Sequence, residues 1–248
     1  MLNTFIFVPY NVCMRILIIS VIGLFLFLAC QKKSTEKVPS TEKKTEQPKV
    51  EVTPIKKVKP LTTAINDTIN RRNTIEFLTI YGRENPETIV KFETRLGNIT
   101  IRLYRDTPLH RASFIFLTKT GYFSTTAVHR IVQDFVVQGG NSENHKTRKF
   151  RKKYETYTLP SEFRAHRKHK YGAIAAARDW EDNPQKVSTP FEFYFIQDKN
   201  GGYHLDGEHT VFGEIIEGFD TLEKIALVEV GNDEWPVIDV FFKVTVIR

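Results

Sequence analysis

Val128-His129-Arg130-Ile131-Val132-Gln133-Asp134-Phe135-Val136-Val137-Gln138-Gly139-Gly140 decides how this chain is read. Val128 to Val132 alternates well enough to predict a strand, and Phe135 to Gly139 reads as its partner. Gln133-Asp134 makes a tight connection between them. A hairpin of this kind brings Arg130, Phe135 and Gln138 into one neighbourhood. A fixed cation and a carboxamide beside an apolar floor suit an amide substrate that is partly greasy.

The pattern continues on both sides. Ile89 to Thr94 and Asn98 to Leu103 flank Arg95-Leu96-Gly97 as a further hairpin. Thr107 is placed to cap a helix with Pro108 at its first position, and Phe114, Ile115 and Leu117 give that helix its buried stripe. Later strands are read at 172–176, 191–197, 211–216 and 241–247, with a second helix at 220–227. The expected fold class is mainly β. Many short antiparallel strands with two helices fit a closed barrel, because closure leaves no strand edge exposed.

The stretch 128–140 resembles the signature of the cyclophilins, the peptidyl-prolyl cis/trans isomerases, which reads Phe-His-Arg-Ile-Ile-x-x-Phe-x-x-Gln-Gly-Gly. Val128 replaces the first aromatic. Further segments follow in the family's order: 93–104 as its first hairpin, 107–114 as its first helix, then 172–178, 205–213 and 217–220. The resemblance covers 88–248. It implies an eight-stranded antiparallel barrel with a helix over each end, prolyl isomerase activity, and no cofactor or metal.

The chemistry of that activity follows from the amide. Resonance opposes rotation about a peptide bond with a barrier of about 18–20 kcal/mol. A catalyst must hold the proline and its neighbours and favour a twisted bond. A guanidinium can donate to the amide nitrogen or hold the carbonyl, and it cannot lose its proton. The resemblance gives that catalytic role to Arg130, the floor of the proline pocket to Phe135, and a bond to the substrate backbone to Gln138. It puts Ala177 along the peptide groove and Leu205 and His209 on the far wall. His129, Val136, Arg178, Glu192, Tyr194 and His204 complete the expected substrate-binding set.

Some positions depart from the family. Its Gly-Ser-Gln-Phe-Phe-Ile strand stands here as Pro190-Phe191-Glu192-Phe193-Tyr194-Phe195. A gapless reading puts Glu192 for the glutamine and Tyr194 for the pocket phenylalanine. A one-residue shift would put Phe193 and Phe195 on the pocket face instead, since strand faces alternate. His204 stands where tryptophan is frequent, and Arg178 where some members carry asparagine. These changes should alter affinity and ligand preference. They also leave open a proline-peptide binding module with little turnover.

The remaining sequence bears on location. The chain has 248 residues, 41% hydrophobic content and a formal net charge of +7. Ile16 to Leu28 is an uncharged, apolar run with Ser20 as its one polar residue, short for a membrane span and fitting a signal-peptide core. Arg15 precedes it and Ala29-Cys30 ends it, which resembles a bacterial lipoprotein signal with Cys30 lipidated. An uncleaved helical anchor is the competing reading. Met14-Arg15 is the more orthodox start, because 1–13 carries no charge. The expected organisation is a signal at 1–29, a disordered tether at 30–60, a helical pre-segment at 61–87 and the barrel at 88–248. In the pre-segment Ile65, Ile69, Phe77 and Ile80 give the helical stripe and Gly82 closes it. The expected place is the cell envelope, outside the cytoplasm, with proline-containing segments of exported proteins as clients.

A basic insertion, 141–170, carries much of the net charge, with Phe150, Tyr154, Tyr157 and Phe163 interleaved. The plain expectation is a solvated loop; a surface for anionic lipid, acidic clients or polyanions is the sharper one. Nucleic acid is not an expected partner, and the chain is expected to be a monomer. His145, His166 and His169 have no accompanying pattern of a metal site.

Overall fold

The computed structural model describes residues 69–154 and 157–248. The expected signal, Cys30, the tether and residues 61–68 lie outside the described residues. Helix α1 (Thr74–Glu84) precedes strands β1 (Ile89–Thr94) and β2 (Gly97–Leu103). Helix α2 (Pro108–Lys119), strands β3 (Ala127–Val132) and β4 (Val136–Asn141) and helix α3 (His145–Tyr154) follow. Then come strands β5 (Ala173–Ala176), β6 (Phe193–Ile196) and β7 (Val211–Glu217), helix α4 (Phe219–Ala226), and strands β8 (Val240–Phe241) and β9 (Lys243–Val246).

One antiparallel sheet runs in the order β8-β3-β4-β6-β5-β7-β2-β1-β9. Its two ends return to one segment of chain. Val240 pairs with Val128 of β3, and Val244 pairs with Phe92 of β1. Residues 240–246 therefore nearly close the sheet into a barrel. The expected count of eight strands is corrected to nine among the described residues, because the last strand breaks at Phe242. There the backbone amide donates to the Thr126 carbonyl at 3.2 Å. The Phe242 ring turns inward, 5.4 Å from Phe92 and 5.9 Å from Phe193 between centroids.

Strand alternation sorts the side chains. Ile174, Ala176, Phe193, Phe195 and Val137 join the barrel interior with the apolar faces of α2 and α4. Ala173, Ala175, Tyr194, Ile196 and Val136 face the other way and pack with Leu205 and Phe135. That outer cluster becomes the floor of the site.

Four α-helices lie among the described residues: α2 and α4, the two expected over the barrel, α1 of the expected helical pre-segment, and α3, which was not expected. α1 belongs to the pre-segment and packs on the domain itself: Phe116 of α2 meets Phe77 and Tyr81 edge-on, each 5.3 Å away. Gly82 does not end this helix as expected. It lies where α1 meets α2, and a Cβ there would come within 3.0 Å of the Ala112 Cβ. Arg111 closes α1 instead, giving its guanidinium to the carbonyls of Gly82, Asn85 and Glu87. α3 corrects the expectation of a solvated loop, since its Thr147 and Tyr154 are buried. The cap of α2 also differs from expectation. The Thr107 hydroxyl bonds back to the Tyr104 carbonyl, and the carboxylate of Glu162 receives the amides of Leu109 and His110 at 3.1 and 2.9 Å.

Candidate active site

The β3–β4 hairpin places the first two functional groups. Arg130 lies directly across from Gln138, after a register irregularity between Val128 and Arg130. Asp134 turns the chain with φ 57°, and the Phe135 amide bonds to the Val132 carbonyl, so Phe135 sits at the turn rather than inside β4. Gly139 and Gly140, directly after Gln138, leave room for neighbours. A Cβ at Gly139 would come within 2.7 Å of the Phe242 ring, and one at Gly140, where φ is 99°, within 2.1 Å of the Phe191 carbonyl.

A cavity of about 420 Å³ opens above this hairpin. Its lining brings together Arg130, Phe135, Val136, Gln138, Ala177, Arg178, Tyr194, Leu205 and His209 from the expected set, and adds Trp180. The guanidinium and carboxamide come from paired strands, while Phe135, Val136, Ala177 and Leu205 are apolar. A second cavity of about 530 Å³ shares Gln138, Ala177 and Arg178 and is walled by Arg151, Glu192 and the loop 179–183.

The aromatic wall is held by polar bonds behind it. Tyr194 takes the pocket-facing place, and Phe193 and Phe195 take the interior one. Its hydroxyl lies 3.1 Å from His169 Nε2, and His169 Nδ1 lies 2.8 Å from Asp206. Nδ1 therefore donates to the carboxylate and Nε2 accepts from the phenol. Burial pushes the Tyr194 phenol upward, so it keeps its proton. His209 donates from Nδ1 to the Ala176 carbonyl at 3.1 Å, and burial brings its pKa down to about 4. It is a neutral ring at neutral pH, edge-on to Tyr194 and Trp180.

Three expected residues stand outside the first cavity. His204 stacks on Phe135 from outside at 5.5 Å. Glu192 walls the second cavity. His129 turns Nε2 towards Glu192 at 3.5 Å and packs its ring against Trp235, while its buried Nδ1 has no partner among the described residues. Arg178 lines both cavities with its side chain, but its polar atoms go to Glu208 and the Asp179 carbonyl and its charge lies over Trp180.

Four residues were missed in the sequence. Glu234 accepts the Nε–H of Arg130 at 2.6 Å, and its carbonyl accepts the Ile131 amide. Trp180 and Trp235 are the chain's two tryptophans, and their rarity was the available signal. Arg151 of α3 bonds Glu192 and also donates to the Tyr122 hydroxyl at 3.2 Å. Burial opposes the Glu192 charge, but His129 and then Arg151 outweigh it and bring its pKa down to about 2.

A buried array beside the site has the look of a hydrolytic triad. His110 lies 2.7 Å from Glu162 through Nδ1 and 3.1 Å from the Ser188 hydroxyl through Nε2. Ser188 is 1% exposed, and the neighbouring void is about 10 Å³. No substrate fits there, so the array fastens the inserted segment to α2.

Comparison with known proteins agrees with this geometry. The family model described as cyclophilin type peptidyl-prolyl cis-trans isomerase/CLD matches residues 89–246. A peptidyl-prolyl cis-trans isomerase of Acinetobacter baylyi is 31% identical over 144 residues, covering 57% of this chain and 73% of its own. Peptidyl-prolyl cis-trans isomerase 10 of Caenorhabditis elegans is 31% identical over 151 residues, covering 60% and 88%. A Cryptosporidium parvum cyclophilin, crystallised in the presence of the dipeptide Ala-Pro, superposes with a TM-score of 0.55 at 20% identity, over 64% of this chain and 99% of that one. The family match spans β1 to β9, from the first strand to the one that closes the barrel, and this chain belongs to the cyclophilin-type peptidyl-prolyl cis–trans isomerases.

Proposed function

We propose that Arg130, Phe135 and Gln138 form the catalytic centre of this isomerase and that its clients are proline-containing segments of exported proteins. One observation carries the assignment: a guanidinium and a carboxamide sit across one strand pair at the edge of an open cavity floored by Phe135, Val136 and Leu205. The proline ring occupies that floor. Gln138 holds the peptide backbone. The Arg130 Nη groups, free among the described residues while Nε bonds Glu234, donate to the twisting amide as its resonance is lost. No covalent bond to protein forms or breaks.

The test is isomerisation of a proline peptide by the full chain in mild detergent. Arg130→Ala should lose on the order of a hundredfold in kcat/KM, the scale of one preorganised donor, with unchanged circular dichroism. Equal rates would refute the assignment.

A second reading, a proline-peptide binder with little turnover, is favoured by the contact of Glu234 with Arg130. Tight binding by calorimetry beside negligible catalysis would select it. The membrane setting is supported by the apolar run 16–28, by Ala29-Cys30, and by the solvent-facing cations Lys146, Arg148, Lys149, Lys152 and Lys153 of α3, which suit anionic lipid. Cys30→Ser should release the chain from the membrane fraction; continued retention would leave the apolar run as the anchor.

A further inference from the structure

We propose that the inserted helix α3 is a working part of this active site: Arg151 pins Glu192, and Glu192 fixes the Gln138 carboxamide with its oxygen turned to the substrate. The inference rests on the reading of Gln138 as a substrate ligand. In this relay Arg151 is a positioning residue.

Glu192 is the hub. One of its oxygens takes the Arg151 guanidinium, and the other faces Gln138 Nε2 at 3.3 Å and His129 Nε2 at 3.5 Å. A carboxylate has no hydrogen to give, so the amide nitrogen of Gln138 must be the end that faces it. The Gln138 oxygen is thereby left to accept an N–H from a peptide in the cavity that Gln138 lines. A glutamine at 192 would impose no such order, since its amide can face Gln138 either way.

A half-buried carboxylate needs a cation, because an unpaired charge there is costly. Arg151 supplies it, and two aromatic residues hold that side chain. Its Nε donates to the Tyr122 hydroxyl, its guanidinium lies 5.3 Å over the Phe191 ring, and Tyr122 in turn donates to the Gly140 carbonyl at 2.7 Å. Arg151 comes from α3, which is itself seated by Thr147 and Tyr154. Within the insertion, Arg167, Lys168 and Lys170 pair with Asp106, Asp206 and Glu214. Arg151 is the cation that reaches the groove wall. The acidic substitution at 192 and the basic insertion are two halves of one device.

The test is a double-mutant cycle on the full chain with a proline peptide. Arg151→Met should raise KM on the order of tenfold with a smaller change in kcat, the scale of a lost charge-assisted hydrogen bond. In a Glu192→Gln background the same change should raise KM less than about twofold, because nothing remains to be neutralised. The side-chain amide signals of Gln138 should move in Arg151→Met and in Glu192→Gln. If Arg151→Met does not fold, Arg151→Lys takes its place. Lysine keeps the charge but cannot hold Tyr122 and Glu192 together, so a milder KM rise is expected, again only with Glu192 present. Equal penalties in both backgrounds, or none in either, would overturn the relay. An unchanged KM in Gln138→Ala would instead overturn the reading of the site beneath it.

Discussion

Arg130 shows how much one side chain depends on its neighbours. Its place on β3 and its pairing with Gln138 follow from local alternation, which is why both were legible in the sequence. Its partner Glu234 lies 104 residues further on, in a loop with no periodic pattern. Glu234 holds Nε, and in the proposed role of Arg130 the outer nitrogens of the guanidinium serve the substrate. Its left-handed φ of 65° and its carbonyl bond from Ile131 fix the backbone that carries it. Glu234→Ala should lower kcat/KM about three- to tenfold, less than loss of Arg130 itself, since exposed ion pairs contribute about 1 kcal/mol or less to orientation. A proline-peptide assay reads this. A rise in rate would mean that Glu234 competes with substrate.

At the scale of elements, strands were read more faithfully than caps. Strand bounds follow from side-chain alternation, a local property. The start of α2 does not. Thr107-Pro108 reads as a capped first turn, yet the accepting carboxylate comes from Glu162, which sequence separates by more than fifty residues. Glu162→Ala would leave the buried His110 amide and the half-buried Leu109 amide without their acceptor and should destabilise the fold by about 2 kcal/mol. Urea unfolding measures that, and a midpoint equal to the parent's would show that the amides find another acceptor. α3 was missed for a related reason. Its sequence, HKTRKFRKKY, is almost wholly polar, and what holds it is contact of Thr147, Arg151 and Tyr154 with distant residues.

For the whole molecule, acid should act on the fold through one buried group, His209, and one half-buried group, Glu192. His209 in the folded chain has a pKa near 4, against an ordinary 6.5. The unfolded chain therefore binds the extra proton first, and the contribution of His209 is complete above about 6.5 and fades towards 4. Glu192, near 2 against an ordinary 4.5, stabilises the fold above about 4.5 and loses that contribution as pH falls towards 2. Thermal melts between about pH 3 and 8 should fall in both windows. Glu192→Gln should flatten the lower one and leave the upper one in place. A lower window that persists in Glu192→Gln would place the acid sensitivity elsewhere.

Most of the strands, the family and the neighbourhood shared by Arg130, Phe135 and Gln138 could be read along the chain, because each depends on spacing within one hairpin or on a contiguous motif. The tertiary structure alone decided where the barrel closes, since Phe242 breaks the last strand only when its ring has Phe92 and Phe193 to pack against. It also decided which charges hold the site. Glu234, Arg151 and Glu192 act on Arg130 and Gln138 across loops and an insertion, and an ion pair is set by distance in space, to which order along the chain gives no guide.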